Sequence, residues 1–387
     1  MRIFRRIAAC VLLFALLGGS VQGSASRTLP VSAPATSARA AVLMDQYGQV
    51  LCAQNGEERL PMASTTKIMT ALVAIESGDP HRSLTVDPAA VGVEGSSAYL
   101  TAGERMTLKT LLYALMLDSA NDAAVAIAIA TYGSVDAFVE QMNAKAQALG
   151  LTDTHFQNPH GLDHAAHYTT ATDLARLAIA ALENQLFAEI VSTTRYSAAV
   201  EGEGEHTRLF LNHNRLLKEY EGCIGVKTGY TKRSGRCLVS AARREGLTLV
   251  AVTLNDPDDW TDHRRLLDWG FSVCETVTLP ANRLEYAIPV VGASVQTVSA
   301  SSRDAIPLTL WRDSSYQVRV ELPRFLYGGI RQGDRLGQAV ITVNGKEAAI
   351  LPLYAEADVD AIRYPTLWQR ICNGIERFWQ WIAGLFQ

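Results

Sequence analysis

Ser64-Thr65-Thr66-Lys67 sets a hydroxyl and an amine three positions apart, one helical turn, on one face. The residues after it, Ile68, Met69, Ala71, Leu72, Val73 and Ile75, are apolar nearly all round, which predicts a buried helix over 62–77 that stops at Gly78 and Pro80. A lysine inside such a helix is desolvated. That disfavours its charge, lowers its pKa and suits it to accept a proton from the neighbouring hydroxyl. Taken alone, the pattern is common and reads as well as an N-cap serine beside a solvated lysine. Ser119-Ala120-Asn121-Asp122 falls in a break between two helices, where Ser followed by Asp before an apolar run also reads as a capping box. Lys227-Thr228-Gly229 closes a strand expected over 223–228. Its cation and hydroxyl suit a carboxylate, and its glycine lets a ligand backbone lie close to the strand.

The elements that must position these groups follow from periodicity. Helices are expected over 107–117, 122–132, 134–150, 171–186 and 259–274, and strands over 223–228, 236–242 and 247–254. A hairpin is expected around Gln46-Tyr47-Gly48, and another around Arg243-Arg244-Glu245-Gly246. Residues 276–363 change character: short alternating runs are punctuated by Pro, Gly and the Asn344-Gly345 turn, the pattern of a small all-β domain. The fold class is therefore α+β, an antiparallel sheet made from both ends of the larger part with a helical cluster inserted between them.

Taken together, the three motifs in this order match the set used by serine enzymes that react with β-lactams. The chain resembles the serine D-alanyl-D-alanine carboxypeptidases, the low-molecular-mass penicillin-binding proteins. The likeness is carried by Pro61 to Ala71, Leu117 to Ala124, His155-Phe156 through Asn158-Pro159-His160-Gly161-Leu162, and Gly225 to Thr231 with Gly235 to Val239. It is strong over 38–275 and weak over 276–363. The resemblance implies Ser64 as acylated nucleophile, Lys67 as its proton acceptor and Ser119 as proton relay to the leaving D-alanine. Asn121 would position the substrate amide, and Lys227 and Thr228 would bind the terminal carboxylate. Gly229 allows close approach, and the N–H groups of Ser64 and Tyr230 would form an oxyanion hole. It implies stem peptides of peptidoglycan ending in D-Ala-D-Ala as substrate, β-lactams as acylating inhibitors, and neither cofactor nor metal. Ala120 stands where many relatives carry Gly. A β-lactamase of the same fold and a catalytically silent wall-binding protein are the alternatives.

The ends bear on where such chemistry takes place. Arg2, Arg5 and Arg6 precede an apolar run over 7–17 and then small residues, the pattern of an export signal over 1–25. A Ser/Pro/Ala/Thr-rich linker follows over 26–37. Loss of the signal removes three Arg and no acid, taking the net charge from −4 to −7. With no concentration of Lys and Arg, that excludes a nucleic-acid partner. Over 366–387, Leu367, Ile371, Ile375, Phe378, Ile382 and Leu385 recur at helical spacing beside Trp368, Trp379, Trp381 and Phe386. That is an amphipathic helix suited to a membrane interface, so the chain is expected on the outer face of the cytoplasmic membrane. Two features point elsewhere. His160, His164 and His167 have a spacing that invites zinc, although they sit in a Pro- and Gly-bearing loop. Cys223 and Cys237, on adjacent strands, allow a cross-strand disulfide, although the five cysteines left after export are an odd number.

Overall fold

The structure, a computed structural model, describes residues 32–200, 206–279, 285–302, 306–312, 314–343, 345–362 and 367–385. The export signal over 1–25 and the linker up to residue 31 lie outside them, as do Asn344 of the second domain's turn and Thr366, Phe386 and Gln387 of the tail. The chain divides into two compact bodies, Leu29–Thr276 and Val277–Gln387.

The first body is built on a five-stranded antiparallel sheet. In chain order the strands of this body are β1 (Ala40–Asp45), β2 (Val50–Gln54), the short pair β3 (Ser83–Thr85) and β4 (Arg105–Thr107), the ribbon β5 (Arg195–Val200) and β6 (His206–Leu211), then β7 (Cys223–Thr231), β8 (Gly235–Arg244) and β9 (Leu247–Leu254). The sheet order is β2-β1-β9-β8-β7, so strands from both ends of the body pair at its centre. The helices are α1 (Lys67–Glu76), α2 (Leu108–Leu117), α3 (Asn121–Tyr132), α4 (Val135–Ala148), α5 (Ala171–Leu182), α6 (Gln185–Ser192), α7 (Leu216–Glu219) and α8 (Asp259–Val273). This is the α+β arrangement expected from the periodicities.

β9 is buried at every position because both faces of the sheet are covered. Leu249 and Leu43 of β1 face α8, where a Cβ on Gly270 would stand 2.6 Å and 2.7 Å from their methyl groups. Val250 and Val252 face the helical cluster and join its core with Val42 and Met44. Arg244 and Leu247 are joined by Glu245-Gly246, whose φ angles of 49° and 82° are those of a two-residue hairpin turn matched to strand twist.

The local boundaries correct several expectations. The 62–77 helix is a 3₁₀ turn, Ala63–Thr66, running into α1. The single helix over 171–186 is two, because the Asn184 side chain accepts from the N–H groups of Leu186 and Phe187 and caps a new helix. Lys227 lies in the middle of β7 rather than at its end. The capping box at Ser119 does not form. Ala120 is the N-cap residue of α3 and makes no side-chain cap, while the Asp122 carboxylate is drawn away to other donors. The cross-strand disulfide is also excluded. In the β7–β8 register Cys223 is opposite Ala242 and Cys237 opposite Gly229, which separates the two roughly 17 Å along the ladder, and both thiols are free.

The second body holds a six-stranded sheet in the order Tyr316–Glu321, Arg335–Val343, Lys346–Ala355, Thr297–Ser301, Tyr286–Val291, Leu326–Tyr327. Its core is small and aliphatic, with Ile288, Val298, Ile341 and Leu353 at its centre. The chain then forms α9 (Leu367–Leu385), whose Leu367, Trp368, Trp379 and Trp381 are all exposed. Among the described residues no single helix is long and apolar enough to cross a membrane.

One buried ion pair ties the outer ribbon to the helical cluster. Arg208 of β6 meets the buried Glu104 carboxylate at both oxygens, Nε to Oε1 at 2.5 Å and Nη2 to Oε2 at 2.7 Å. Two further N–H groups, on Nη1 and Nη2, reach the carbonyls of Ala98 and Tyr99 at 2.6 Å and 3.1 Å. Removing one partner leaves the other charge buried and unpaired. Glu104→Ala is therefore expected to lower the unfolding free energy by about 3–5 kcal/mol in urea titration. A loss below about 1 kcal/mol would show that the pair contributes no more than a surface bridge.

Candidate active site

The turn that presents Ser64 is held from beneath. Ala63 has φ of 48°, a left-handed conformation that costs a residue with a side chain about 1–2 kcal/mol. Two hydroxyls brace it, Thr65 donating to the carbonyl of Met62 at 2.6 Å and Thr66 to that of Ala63 at 2.8 Å. Behind Thr66 stands His167, whose Nδ1 accepts from the N–H of Gln157 at 3.0 Å. Its Nε2 therefore carries the proton and donates to the Thr66 oxygen at 2.7 Å. Burial holds this imidazole neutral, lowering its pKa to about 3. Gly161, at φ of 92°, lies so close that an added Cβ would stand 2.0 Å from the Ala63 carbonyl oxygen. No other residue fits there.

Lys67 is the first residue of α1 and fully buried. Its Nζ lies 2.9 Å from Ser64 Oγ, 2.6 Å from Asn121 Oδ1 and 2.6 Å from the carbonyl oxygen of His160. Burial lowers its pKa well below the ordinary lysine value; the charge of Lys227 pushes the same way and Asp122 opposes both. A neutral amine has two N–H donors and one lone pair. The His160 carbonyl is an acceptor only. Asn121 must also present its oxygen, because its Nδ2 donates to the carbonyl of Glu94 at 2.6 Å. Those two acceptors take both N–H groups, so the lone pair of the neutral amine is left facing the Ser64 hydroxyl. The partners thus orient Lys67 to receive the hydroxyl proton.

Ser119 lies in the short link between α2 and α3, and Asn121 opens α3. Ser119 is buried and held at φ of 60°. The link is anchored from the loop before it: the N–H of Asn121 donates to the carbonyl of Ser96 at 2.7 Å. Asp122 accepts from the N–H groups of Ala98 and Leu100, both at 3.0 Å, and from the Ser97 hydroxyl at 2.7 Å. That loop carries Tyr99, 83% exposed.

β7 forms the other wall. Gly229 packs against the Ser64 turn, where a Cβ would stand 3.0 Å from the nitrogen of Ser64 and 3.1 Å from that of Thr65. The bare glycine is what lets the strand lie alongside the Ser64 N–H. Lys227 is buried, and its Nζ donates to the carbonyl of Thr228 at 2.9 Å. Burial lowers its pKa to about 7, opposed by Asp118, so an anion placed against it would restore its charge. Thr228 is half-buried beside it, and Tyr230 is 66% exposed at the mouth.

Ser64, Lys67 and Asn121 are thus joined by direct bonds, and Gly229 touches the Ser64 turn. Ser119 precedes Ala120, the N-cap of α3, in the α2–α3 link, and Lys227 influences Lys67 electrostatically. Sequence reasoning missed the two carbonyls, of Glu94 and His160, that orient Asn121 and Lys67. A backbone acceptor carries no side-chain signal; only Pro159 and Gly161 hinted that the His160 loop was shaped for something. The histidines of that loop serve its own folding. His155 Nδ1 lies 2.7 Å from the carbonyl of Ala166, His160 Nδ1 accepts from Leu162 at 3.2 Å, and His164 Nδ1 accepts from Ala166 at 3.1 Å. Among the described residues no group of three His, Cys, Asp or Glu side chains is placed to hold a metal ion.

A pH dependence follows. Lys67 accepts a proton only when neutral, and its lowered pKa keeps it neutral down to a pH far below that of an ordinary lysine. As pH falls through that lowered value the amine gains its proton, and the acylation rate of Ser64 is expected to fall with it. Lys67→Arg stays charged at every pH and is expected to lose about 100- to 10,000-fold in acylation rate. Stopped-flow acylation by a chromogenic β-lactam between pH 4 and 10 reads both. An unchanged rate in Lys67→Arg would remove Lys67 from proton transfer.

The chain is similar to known proteins. Residues 27–258 match the Peptidase_S11 family, described as D-alanyl-D-alanine carboxypeptidase. The chain is 30% identical over 357 residues to D-alanyl-D-alanine carboxypeptidase DacF of Bacillus subtilis, covering 89% of this chain and 91% of the relative. Among solved structures it resembles penicillin binding protein 5 of Haemophilus influenzae, with TM-score 0.73, 28% identity, and coverage of 85% of this chain and 99% of that one. It also resembles the Streptomyces K15 DD-transpeptidase, with TM-score 0.60, 34% identity, and coverage of 63% and 100%.

Proposed function

The chain belongs to the D-alanyl-D-alanine carboxypeptidase family of serine peptidases, and from that membership we propose that it removes the terminal D-alanine of peptidoglycan stem peptides through an acyl-enzyme on Ser64. The observation that carries the proposal is the Lys67 amine, stripped of water and bonded to the Ser64 hydroxyl at 2.9 Å.

In this reading the substrate carboxylate lies against Lys227 and the Thr228 hydroxyl. Ser64 Oγ attacks the carbonyl carbon of the penultimate D-alanine as its proton passes to Lys67. The oxyanion that forms is met by the N–H groups of Ser64 and Tyr230. Ser119 passes its proton to the amine of the leaving D-alanine as the C–N bond breaks and takes in its place the proton held by Lys67, leaving an ester on Ser64 and a neutral Lys67. Water then attacks the ester, Ser64 regains its proton, and the shortened peptide is released. Asn121 holds the substrate amide with its second Nδ2 hydrogen, the first being committed to the Glu94 carbonyl. A β-lactam enters the same ester-forming step but leaves a product whose hydrolysis is slow.

A fluorescent penicillin tests this on the purified chain. Stable labelling that disappears in Ser64→Ala, together with release of D-alanine from a D-Ala-D-Ala peptide, is expected. Rapid loss of the label would indicate a β-lactamase, and absence of label and of D-alanine release would leave only a silent wall-binding role.

Location belongs to the same proposal. The reading is of an exported enzyme at the outer face of the cytoplasmic membrane, held by α9. The exposed Leu367, Trp368, Ile375, Phe378, Trp379 and Trp381 support it, because a helix covered by its own protein would bury them. Anionic lipid vesicles are expected to shift tryptophan emission to the blue and to sediment with the full chain but not with one lacking 366–387. Equal sedimentation of both would rule out α9 as the anchor.

A further inference from the structure

An antiparallel sheet packed on one face buries its apolar residues and turns the polar ones to water. In the second body, strand Tyr316–Glu321 obeys this and exposes Gln317, Arg319 and Glu321. Strand Thr297–Ser301 does too, with Thr297, Ser299 and Ser301 alternating with the buried Val298 and Ala300. Strand Tyr286–Val291 breaks the rule: its exposed positions are Ala287, Pro289 and Val291. Beside it, at the end of the sheet, Leu326–Tyr327 runs parallel with Val291 opposite Tyr327. Tyr327 is 69% exposed, Val291 51% and Phe325 49%. The Phe325 and Tyr327 rings meet edge to face with centroids 5.6 Å apart. An apolar sheet edge left in water is an aggregation liability, so this one calls for a cover.

The patch is continuous with the root of α9. The N–H of Ile362 donates to the Gly292 carbonyl at 2.7 Å, and Ala361 pairs with Ala293. A Cβ on Gly328 would stand 2.6 Å from the Ala361 Cα. The segment that leads to the tail is thus laid against the residues following Val291 and Tyr327. It adds the exposed Ile362, and the loop after Val291 adds the exposed Val295. Leu367, the first residue of α9, follows five positions after Ile362. Extended chain covers at most about 3.6 Å per residue, so α9 begins within about 18 Å of Ile362 whatever course the link takes. Charge around the patch balances. Arg324, Arg331 and, in the sequence, Arg363 stand against Asp334, Asp358 and Asp360, with Arg331 3.5 Å from Asp358 and 3.1 Å from Asp360.

We propose that Val291, Val295, Phe325, Tyr327 and Ile362 form a second lipid contact that enters the membrane interface beside α9, so that the chain is attached at two points. This rests on the reading of α9 as a membrane anchor. A helix lying in the interface brings Ile362 within the 18 Å reach of the link, and the patch with it. Aromatic side chains beside arginine are the kind that settle at that depth. Alone, so small a patch would hold lipid only marginally; tethered to an anchored helix, it meets the bilayer at high effective concentration. With its charges balanced, the contact depends on apolar burial rather than on attraction to anionic lipid.

Vesicles of phosphatidylethanolamine and phosphatidylglycerol test this on the full exported chain by sedimentation and by hydrogen-exchange mass spectrometry. On addition of lipid, amides over 291–296 and 324–330 are expected to gain protection along with those of α9. Phe325→Ser/Tyr327→Ser and, separately, Val291→Thr/Ile362→Ser are expected to weaken vesicle partitioning by about tenfold with α9 intact. Thermal unfolding reports that each variant folds. Unchanged partitioning in both double variants, with protection confined to α9, would overturn the second contact and leave the anchor standing. Absence of vesicle binding by the native chain would overturn the anchor and the contact with it. A lipid-free dimer that the substitutions abolish would overturn the lipid assignment in favour of a second copy of the chain.

Discussion

A lysine amine sealed away from water is the constraint around which the first body is built. Lys67 is the opening residue of α1, which packs against α2, α3, α4, α5 and α6. An ammonium ion there would forfeit several kcal/mol of hydration, so burial favours the free base. A free base still has two N–H groups that must be satisfied in a dry interior. The His160 carbonyl and the Asn121 oxygen satisfy them, and the lone pair is then aimed at Ser64. Burial fixes the protonation state, and hydrogen-bond accounting fixes the direction.

The same requirement extends outward through backbone groups. Asn121 can offer its oxygen to Lys67 because the Glu94 carbonyl holds its other end, and Glu94 lies in a loop pinned by Asp122 and, farther on, by Arg208 with Glu104. His160 can offer its carbonyl because Gly161 lets the loop press against Ala63, where His167 and Thr66 complete the support. The strained φ angles at Ala63 and Ser119 are held by these contacts, a use of backbone strain common at reactive sites. Two lysines share the interior with unequal roles. Burial pushes the pKa of both down; Lys67 faces the Ser64 hydroxyl, whereas Lys227, lowered to about 7, stands ready to be charged by an anion.

Much of this was legible in the residues themselves. The apolar surroundings of Lys67 announced a buried helix and a depressed lysine, and both are present. The apolar run over 247–254 announced a strand, which is β9, and only the fold placed it at the sheet's centre with both faces buried. Other signals misled for identifiable reasons. The sequence Ser119-x-x-Asp122 promises a capping box, but the Asp122 carboxylate is engaged by backbone donors from residues 98 and 100, far enough away in sequence to be invisible to a local pattern. Cys223 and Cys237 lie on neighbouring strands, yet register, which depends on both strands and their turn, sets them apart. Asn184 splits a helix that apolar periodicity alone would continue.

By itself the sequence determined which groups could react and what each would need: the hydroxyl and amine one turn apart, the second serine with its asparagine, and the lysine, threonine and glycine of β7. Those are properties of side-chain type and short spacing, and local chemistry is enough to read them. The tertiary structure alone decided how the groups are aimed. The orienting partners of Lys67 and Asn121 are carbonyl oxygens, which every residue possesses, and the close approach of Gly161 to Ala63 and of Gly229 to Ser64 joins segments distant in the chain. Backbone acceptors and steric vacancies leave no mark in composition or periodicity. They take effect only when packing brings them within about 3 Å of the group they serve.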